Sequence, residues 1–125
     1  MRLRQEILED LIKYQKDLAS LKAELSQYPY DWFEEEAPVR HTRQDILNVL
    51  NRYLSGELSA LQLNEWADSI ASREDIDNEN GYNKLINDVL QNIDRDTLIE
   101  PFITREEVIK LAEELKNTPF DPNGD

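Results

Sequence analysis

The chain of 125 residues has no cysteine, three glycines, one methionine and one histidine. The lack of cysteine excludes disulfides, thiolate nucleophiles and thiolate metal ligands. The isolated glycines build no phosphate-binding loop, and a single histidine provides no cluster of metal ligands. No apolar run approaches the roughly 18 residues that span a bilayer, and the first residues are too charged for a signal peptide. We therefore expect no cofactor, no metal and a cytoplasmic location.

Basic residues are also scarce, since 14 Lys and Arg stand against 27 Asp and Glu, for a net charge of −13. Residues 1–27 carry five of each sign, so the whole net charge lies in residues 28–125. This acidic part repels nucleic-acid phosphates and anionic lipid headgroups, which argues against direct binding of nucleic acid or membranes. It favours a basic protein partner. High net charge also keeps proteins soluble, an interpretation that needs no partner.

Apolar residues in the first 27 positions follow alternating spacings of four and three, which is the a/d stripe of a heptad pattern. No Gly or Pro interrupts this segment before Pro29. The pattern predicts one long amphipathic helix over residues 1–27, packed either on the rest of the chain or on a second copy in a homodimer. The stripe consists of Ile7, Leu11, Tyr14, Leu18, Leu21 and Leu25.

Residues 42–116 have the pattern of a compact bundle of about four shorter helices. Capping-box spacing marks three helix starts, and a glycine suited to a left-handed C-cap marks one helix end. Trp66 lies between apolar residues at helical spacing and is predicted to be core. Strand patterns are nearly absent, so we expect an all-α single domain with a connection over residues 28–41 and a frayed tail over 117–125. The capping signals are Thr42 with Asp45, Ser59 with Gln62, Thr104 with Glu107, and Gly56.

Two acidic segments are the candidate partner contacts. The connection YPYDWFEEEAPVRH mixes aromatics, which offer rigid contact area, with acids that steer a basic partner. Its aromatics could instead pack under the helices while the acids are simply solvated. The loop that begins at Asp75 resembles a calcium loop, but Asn80 and Ile86 stand where glycine and glutamate are required, so it is interpreted as an ordinary acidic loop. The candidate contacts are Tyr30, Asp31, Trp32, Glu34, Glu35, Glu36, Asp75, Asp77 and Glu79.

No residue pattern points to catalysis. His41 could act as a general base, but no nucleophile motif accompanies it. With so many acids, close carboxylate pairs arise by chance and carry no information about acid–base chemistry. We therefore expect a non-enzymatic protein, and an enzyme with carboxylate-only chemistry is the least favoured interpretation.

Four motifs lie along the chain: an aromatic–Pro–aromatic–Asp turn at 28–31, the stretch LNRYLSGELSA at 50–60, the pair Trp66–Ala67, and a late Pro101 before a Thr-capped helix. With these motifs, the stretch from Asp31 to Leu115 resembles a family of small bacterial helical proteins of unknown function. The resemblance implies a helical fold and no catalytic residues. In size, charge and helicity the chain is also similar to bacterial immunity proteins, the inhibitors of toxic nucleases.

Two hypotheses follow. The first is an acidic protein-binding module, in its most specific form an immunity-like or antitoxin-like inhibitor of a basic partner. The second is a structural or adaptor protein that homodimerises through the stripe of its N-terminal helix.

Overall fold

The computed structural model describes residues 3–28, 39–71, 73 and 75–122. Within these residues the chain forms a compact helical core together with one short sheet, so the helical bundle is confirmed but a purely helical fold is not. The elements are α1 (Arg4–Lys13), α2 (Leu18–Leu25), β1 (Val39–His41), α3 (Arg43–Leu54), α4 (Ala60–Ala71), β2 (Ile76–Asn78), α5 (Asn83–Ile93) and α6 (Arg105–Asn117).

The prediction of one long N-terminal helix is wrong, because the segment divides into α1 and α2. Tyr14 ends α1 in the left-handed conformation, with φ of 53°. From α3, Arg52 Nη1 donates to the carbonyls of Lys13 and Tyr14 at 3.3 and 2.7 Å, so a cation satisfies the exposed end of α1. Asp17 then caps α2 by accepting from the Ser20 N–H at 3.0 Å.

The stripe is nevertheless largely buried, and it packs against other residues of the same chain. The break after Lys13 lets α1 and α2 place their apolar faces on one core. Leu25 is partly buried against that core, and the other five stripe residues are at most 8% exposed. Burial of the stripe therefore requires no second copy of the chain.

The short sheet joins two segments that the sequence predicts as connections. β1 and β2 pair in parallel, with Val39 opposite Ile76 and His41 opposite Asn78. The Glu79 N–H extends the ladder by donating to the His41 carbonyl at 2.8 Å. Strands of three residues are too short for an alternating pattern, so the sequence carries no signal for them.

The predicted helix boundaries and core of the bundle are largely confirmed. Thr42 and Thr104 each form a reciprocal capping box, and Ser59 and Gln62 exchange the same pair of hydrogen bonds at 2.8 and 3.1 Å. Gly56 follows α3 with φ of +88°. Trp66 is fully buried, and its Nε1–H donates to the Leu11 carbonyl at 2.8 Å, which ties α4 to α1.

Phe120 and Asp121, in the tail that the sequence predicts to be frayed, contact the residues just before α5. The Asp121 N–H donates to the Gly81 carbonyl at 3.1 Å, and the Phe120 ring meets the Tyr82 ring edge-on at a centroid distance of 5.9 Å. Gly81 has φ of +83°, and a Cβ at this position would overlap the Phe120 ring. Glycine is therefore favoured here by the positive φ, and an added Cβ would also have to displace the Phe120 ring.

Gly81 and Gly56 make a matched pair for testing this contact. Gly56→Ala should destabilise the protein by about 1–2 kcal/mol, because the positive φ is strained but the surrounding space is open. Gly81→Ala should cost more, since the added methyl group also displaces Phe120. Urea unfolding followed by circular dichroism measures both. If the excess cost of Gly81→Ala persists in a Phe120→Ala background, the overlap with the ring is not its cause.

Candidate protein-contact surface

The acidic loop at residues 75–79 uses two of its three candidate carboxylates inside the fold. Asp75 lies between Arg4 and Arg73, with its side chain only 7% exposed. Arg73 donates to it from Nε and Nη2 at 2.8 and 2.7 Å, and Arg4 pairs with it from α1. A carboxylate this enclosed joins α1 to the segment before β2 and is not available to a partner.

Glu79 has a similar structural role at the other end of β2. Its two carboxylate oxygens accept from Arg43 Nε and Nη2 at 3.0 and 3.2 Å, and one of them also accepts from the Arg43 N–H at 3.0 Å. The hydrogen bond from the Arg43 side chain lowers the pKa of Glu79. The Arg43 guanidinium also lies 3.6 Å from the centroid of the Tyr82 ring, so the cluster holds α3, β2 and the start of α5 together.

Asp77 is the one candidate in this loop that faces solvent. It lies on β2 opposite Arg40, and both residues are exposed. The other predicted contacts lie outside the described residues: Tyr30, Asp31, Trp32, Glu34, Glu35 and Glu36.

His41 belongs to the core. It is fully buried, its ring meets Trp66 edge-on at 5.7 Å, and among the described residues neither ring nitrogen has a hydrogen-bond partner. Burial lowers its pKa to about 4, although Asp45 opposes the shift. At neutral pH the imidazole is therefore uncharged and separated from solvent, a poor position for a general base acting on an external substrate.

The connection between α5 and α6 contains a surface feature that the sequence analysis missed. Leu98 and Ile99 are 96% and 83% exposed. They lie in a hydrogen-bonded turn, in which the Asp96 carbonyl accepts from the N–H groups of Ile99 and Glu100 at 2.9 and 3.0 Å. The sequence did hold a signal, since two large aliphatics stand between two acids, outside any helical pattern and just before Pro101.

Arg95 anchors this turn to the bundle. Its N–H donates to Asn64 Oδ1 on α4 at 2.9 Å, and its Nη2 donates to Glu107 on α6 at 2.6 Å. Together with hydrogen bonds from Thr104, this arginine lowers the pKa of Glu107 to about 2. The positive charge of Arg95 is thereby used internally and does not offset the acids of the turn.

Carboxylates without an ion pair in the described part of the chain occur on several elements. The nearby Asp94 is partly buried, and burial together with Asp68 raises its pKa. Neighbouring carboxylates repel each other, which disfavours their ionised form, and an approaching cation relieves this repulsion. The exposed acids without an ion pair include Glu6, Glu65, Asp77, Asp96, Glu100, Glu106 and Glu114.

No protein-family model matches the chain, and no curated protein or solved structure is significantly similar to it. The resemblance to small bacterial helical proteins therefore stays a prediction. Among the described residues, no helix has the length and apolar character needed to cross a membrane. In the same part of the chain, no three His, Asp or Glu side chains cluster in a way that could hold a metal ion.

The buried histidine predicts acid sensitivity in a defined window. The folded state resists protonation down to a pKa of about 4, whereas the unfolded chain binds the proton near 6.5. The stabilising contribution is thus complete above pH 6.5 and is lost as pH falls towards 4. We expect the free energy of unfolding to decrease by about 2–3 kcal/mol between pH 7 and about 4.5.

Denaturant unfolding at a series of pH values measures this decrease, with His41→Phe as the matched variant that keeps a ring against Trp66. The variant should lose the slope between pH 6.5 and 4.5. NMR titration of the single imidazole provides an independent check, and an ordinary pKa near 6.5 would contradict the burial argument.

Proposed function

We propose that this chain is a non-enzymatic, acidic binding protein whose partner is a basic protein. The observation that carries the proposal is the internal use of its arginines. Within the described residues every arginine donates to an acceptor of the same chain, while several exposed acids have no ion pair. The arginines are Arg4, Arg40, Arg43, Arg52, Arg73, Arg95 and Arg105.

Each ion pair cancels one charge of each sign, so the net negative charge of the chain is carried by its unpaired carboxylates. Charges that are paired at close range inside the fold contribute little at a distance, whereas unpaired surface carboxylates act over about a Debye length, roughly 8 Å at physiological salt. A basic partner is drawn to such a surface and associates faster than an uncharged partner would.

In its most specific form the proposal is an immunity-like or antitoxin-like inhibitor. A nuclease holds phosphates on a basic surface, and an acidic protein that covers this surface blocks the enzyme. The size, charge and helical core of the chain support this assignment. The buried position of His41 supports a non-enzymatic role, because it removes the single imidazole from contact with an external substrate.

The homodimeric adaptor stays as the second hypothesis, tested by light scattering of the purified chain. No free apolar stripe supports it, because the chain itself covers Ile7, Leu11, Tyr14, Leu18 and Leu21.

The proposal is tested by using the tagged chain to capture its partner from a lysate of the source cells, washed with increasing salt. We expect one stoichiometric basic protein that is released as salt rises. With the purified pair, the association rate should fall several-fold between about 50 and about 300 mM NaCl. An acidic or neutral partner, or a rate independent of salt, would contradict the proposal.

Charge variants sharpen this test. Changing Glu65, Glu106 and Glu114 to Gln should slow association, since these acids are exposed, unpaired and replaced by a residue of similar helix propensity. The control changes the exposed cations Lys22 and Lys110 to Gln and should not slow it. Equal effects of the two variants would show that these acids do not steer the partner.

A further inference from the structure

The turn between α5 and α6 presents apolar surface in a fixed shape. Leu98 and Ile99 are among the most exposed large aliphatics in the described residues. Asp96 shapes the turn, because its carboxylate accepts from the Leu98 N–H at 3.0 Å while its carbonyl accepts from the next two N–H groups. Because the backbone of the pair is already held in a hydrogen-bonded turn, binding would have to restrict only the two side chains, which lowers the entropy cost of using them as an anchor.

The turn is also fixed to the bundle at both ends. Arg95 bonds to Asn64 and Glu107, and its Nε donates to the Asn92 carbonyl at 2.8 Å. Further along, Arg105 donates to the Leu54 carbonyl at 2.7 Å. The aliphatic pair therefore stands on a base tied to α3, α4 and α6.

Charge around the pair selects the kind of surface that can receive it. Asp96 and Glu100 flank Leu98 and Ile99, both are exposed, and neither has an ion pair among the described residues. Because Arg95 is neutralised by Glu107, the apolar tip has an acidic border. Complementarity requires a recess that is apolar inside and basic at its rim.

We propose that Leu98 and Ile99 are the anchor with which this protein docks into an apolar, basic-rimmed recess of a partner protein. The inference rests on the proposed function and deepens it by naming the contact. A second copy of the chain would bring its own acids towards this border, and an anionic membrane would repel it. Both are therefore disfavoured as occupants.

A photo-crosslinking residue, benzoylphenylalanine, placed at position 98 in the source cells tests the contact directly. Position 3 is the matched control, because Leu3 is also an exposed aliphatic, 64% exposed, and lies at the other end of the bundle. The two positions lie near opposite ends of α4. Arg4, next to Leu3, pairs with Asp75 beyond the end of this helix, whereas Arg95, near Leu98, bonds to Asn64 close to its start. We expect position 98, and not position 3, to crosslink to apolar residues flanked by Lys or Arg.

The partner identified by the crosslink is then purified in its free form and titrated with variants of this chain. Leu98→Ser combined with Ile99→Ser should weaken Kd at least about tenfold, the effect expected for a central anchor, while Leu3→Ser should leave Kd unchanged. Both variants should keep the wild-type thermal midpoint, since the side chains contact solvent. Asp96→Asn with Glu100→Gln, which keeps the turn acceptor, should reduce the salt dependence of Kd.

Several results would overturn the inference: equal crosslinking at both positions, a crosslink only to a second copy, binding to lipid vesicles instead of protein, or a Kd unaffected by the serine variant. Failure of the anchor is distinguishable from failure of the proposed function. A basic, salt-sensitive partner whose Kd ignores the serine variant removes only the anchor. A partner that crosslinks at position 98 but binds independently of salt retains the docking contact and removes the acidic steering.

Discussion

Four arginine side chains tie together segments that are distant in sequence, and they link the elements that pack around the apolar core. Arg4 joins α1 to the segment before β2, and Arg43 joins α3 to the segment after it. Arg52 closes the end of α1 from α3, while Arg95 joins the last turn to α4 and α6. Arginine suits these positions because one planar group can bond to several acceptors at once.

In a chain with about twice as many acids as bases, this placement has a physical cost and an effect. The cost is that few cations remain to screen the surface carboxylates. The effect is a negative exterior around an apolar core whose surrounding elements are linked by arginines, so stability and surface charge are not independent properties of this protein. Replacing an internal arginine would weaken the fold and make the net charge still more negative.

The sequence predicted what depends on local chemistry. Thr42, Ser59 and Thr104 cap helices because the required partners stand three residues later, and Trp66 is buried because its neighbours share one helical face. The break after Lys13 could not be read in the same way. It depends on Arg52, which approaches from α3, and on a left-handed Tyr14, a conformation that tyrosine rarely adopts without tertiary support.

The candidate contacts show the same difference between what local sequence determines and what tertiary contacts determine. Composition predicts an acidic surface, but it cannot tell Asp75 and Glu79, which are bound by arginines, from Asp77, which is exposed. All three carboxylates count equally in the net charge. Whether each one can contact a partner depends on which basic side chains of the chain lie within hydrogen-bond distance of it. Leu98 and Ile99 were missed because apolar residues are assumed to be core unless the fold shows otherwise.

The parallel pair of strands has a consequence for the order of folding. β1 and β2 enclose α3 and α4 within a single closed loop, so their pairing must wait until the chain between them has become compact. Helices α3 and α4 rely on local contacts and can form first. With three residues in each strand, the sheet has little cooperative strength of its own. We expect it to be the last element to form, and the first whose amide protons exchange with solvent when the native molecule opens locally.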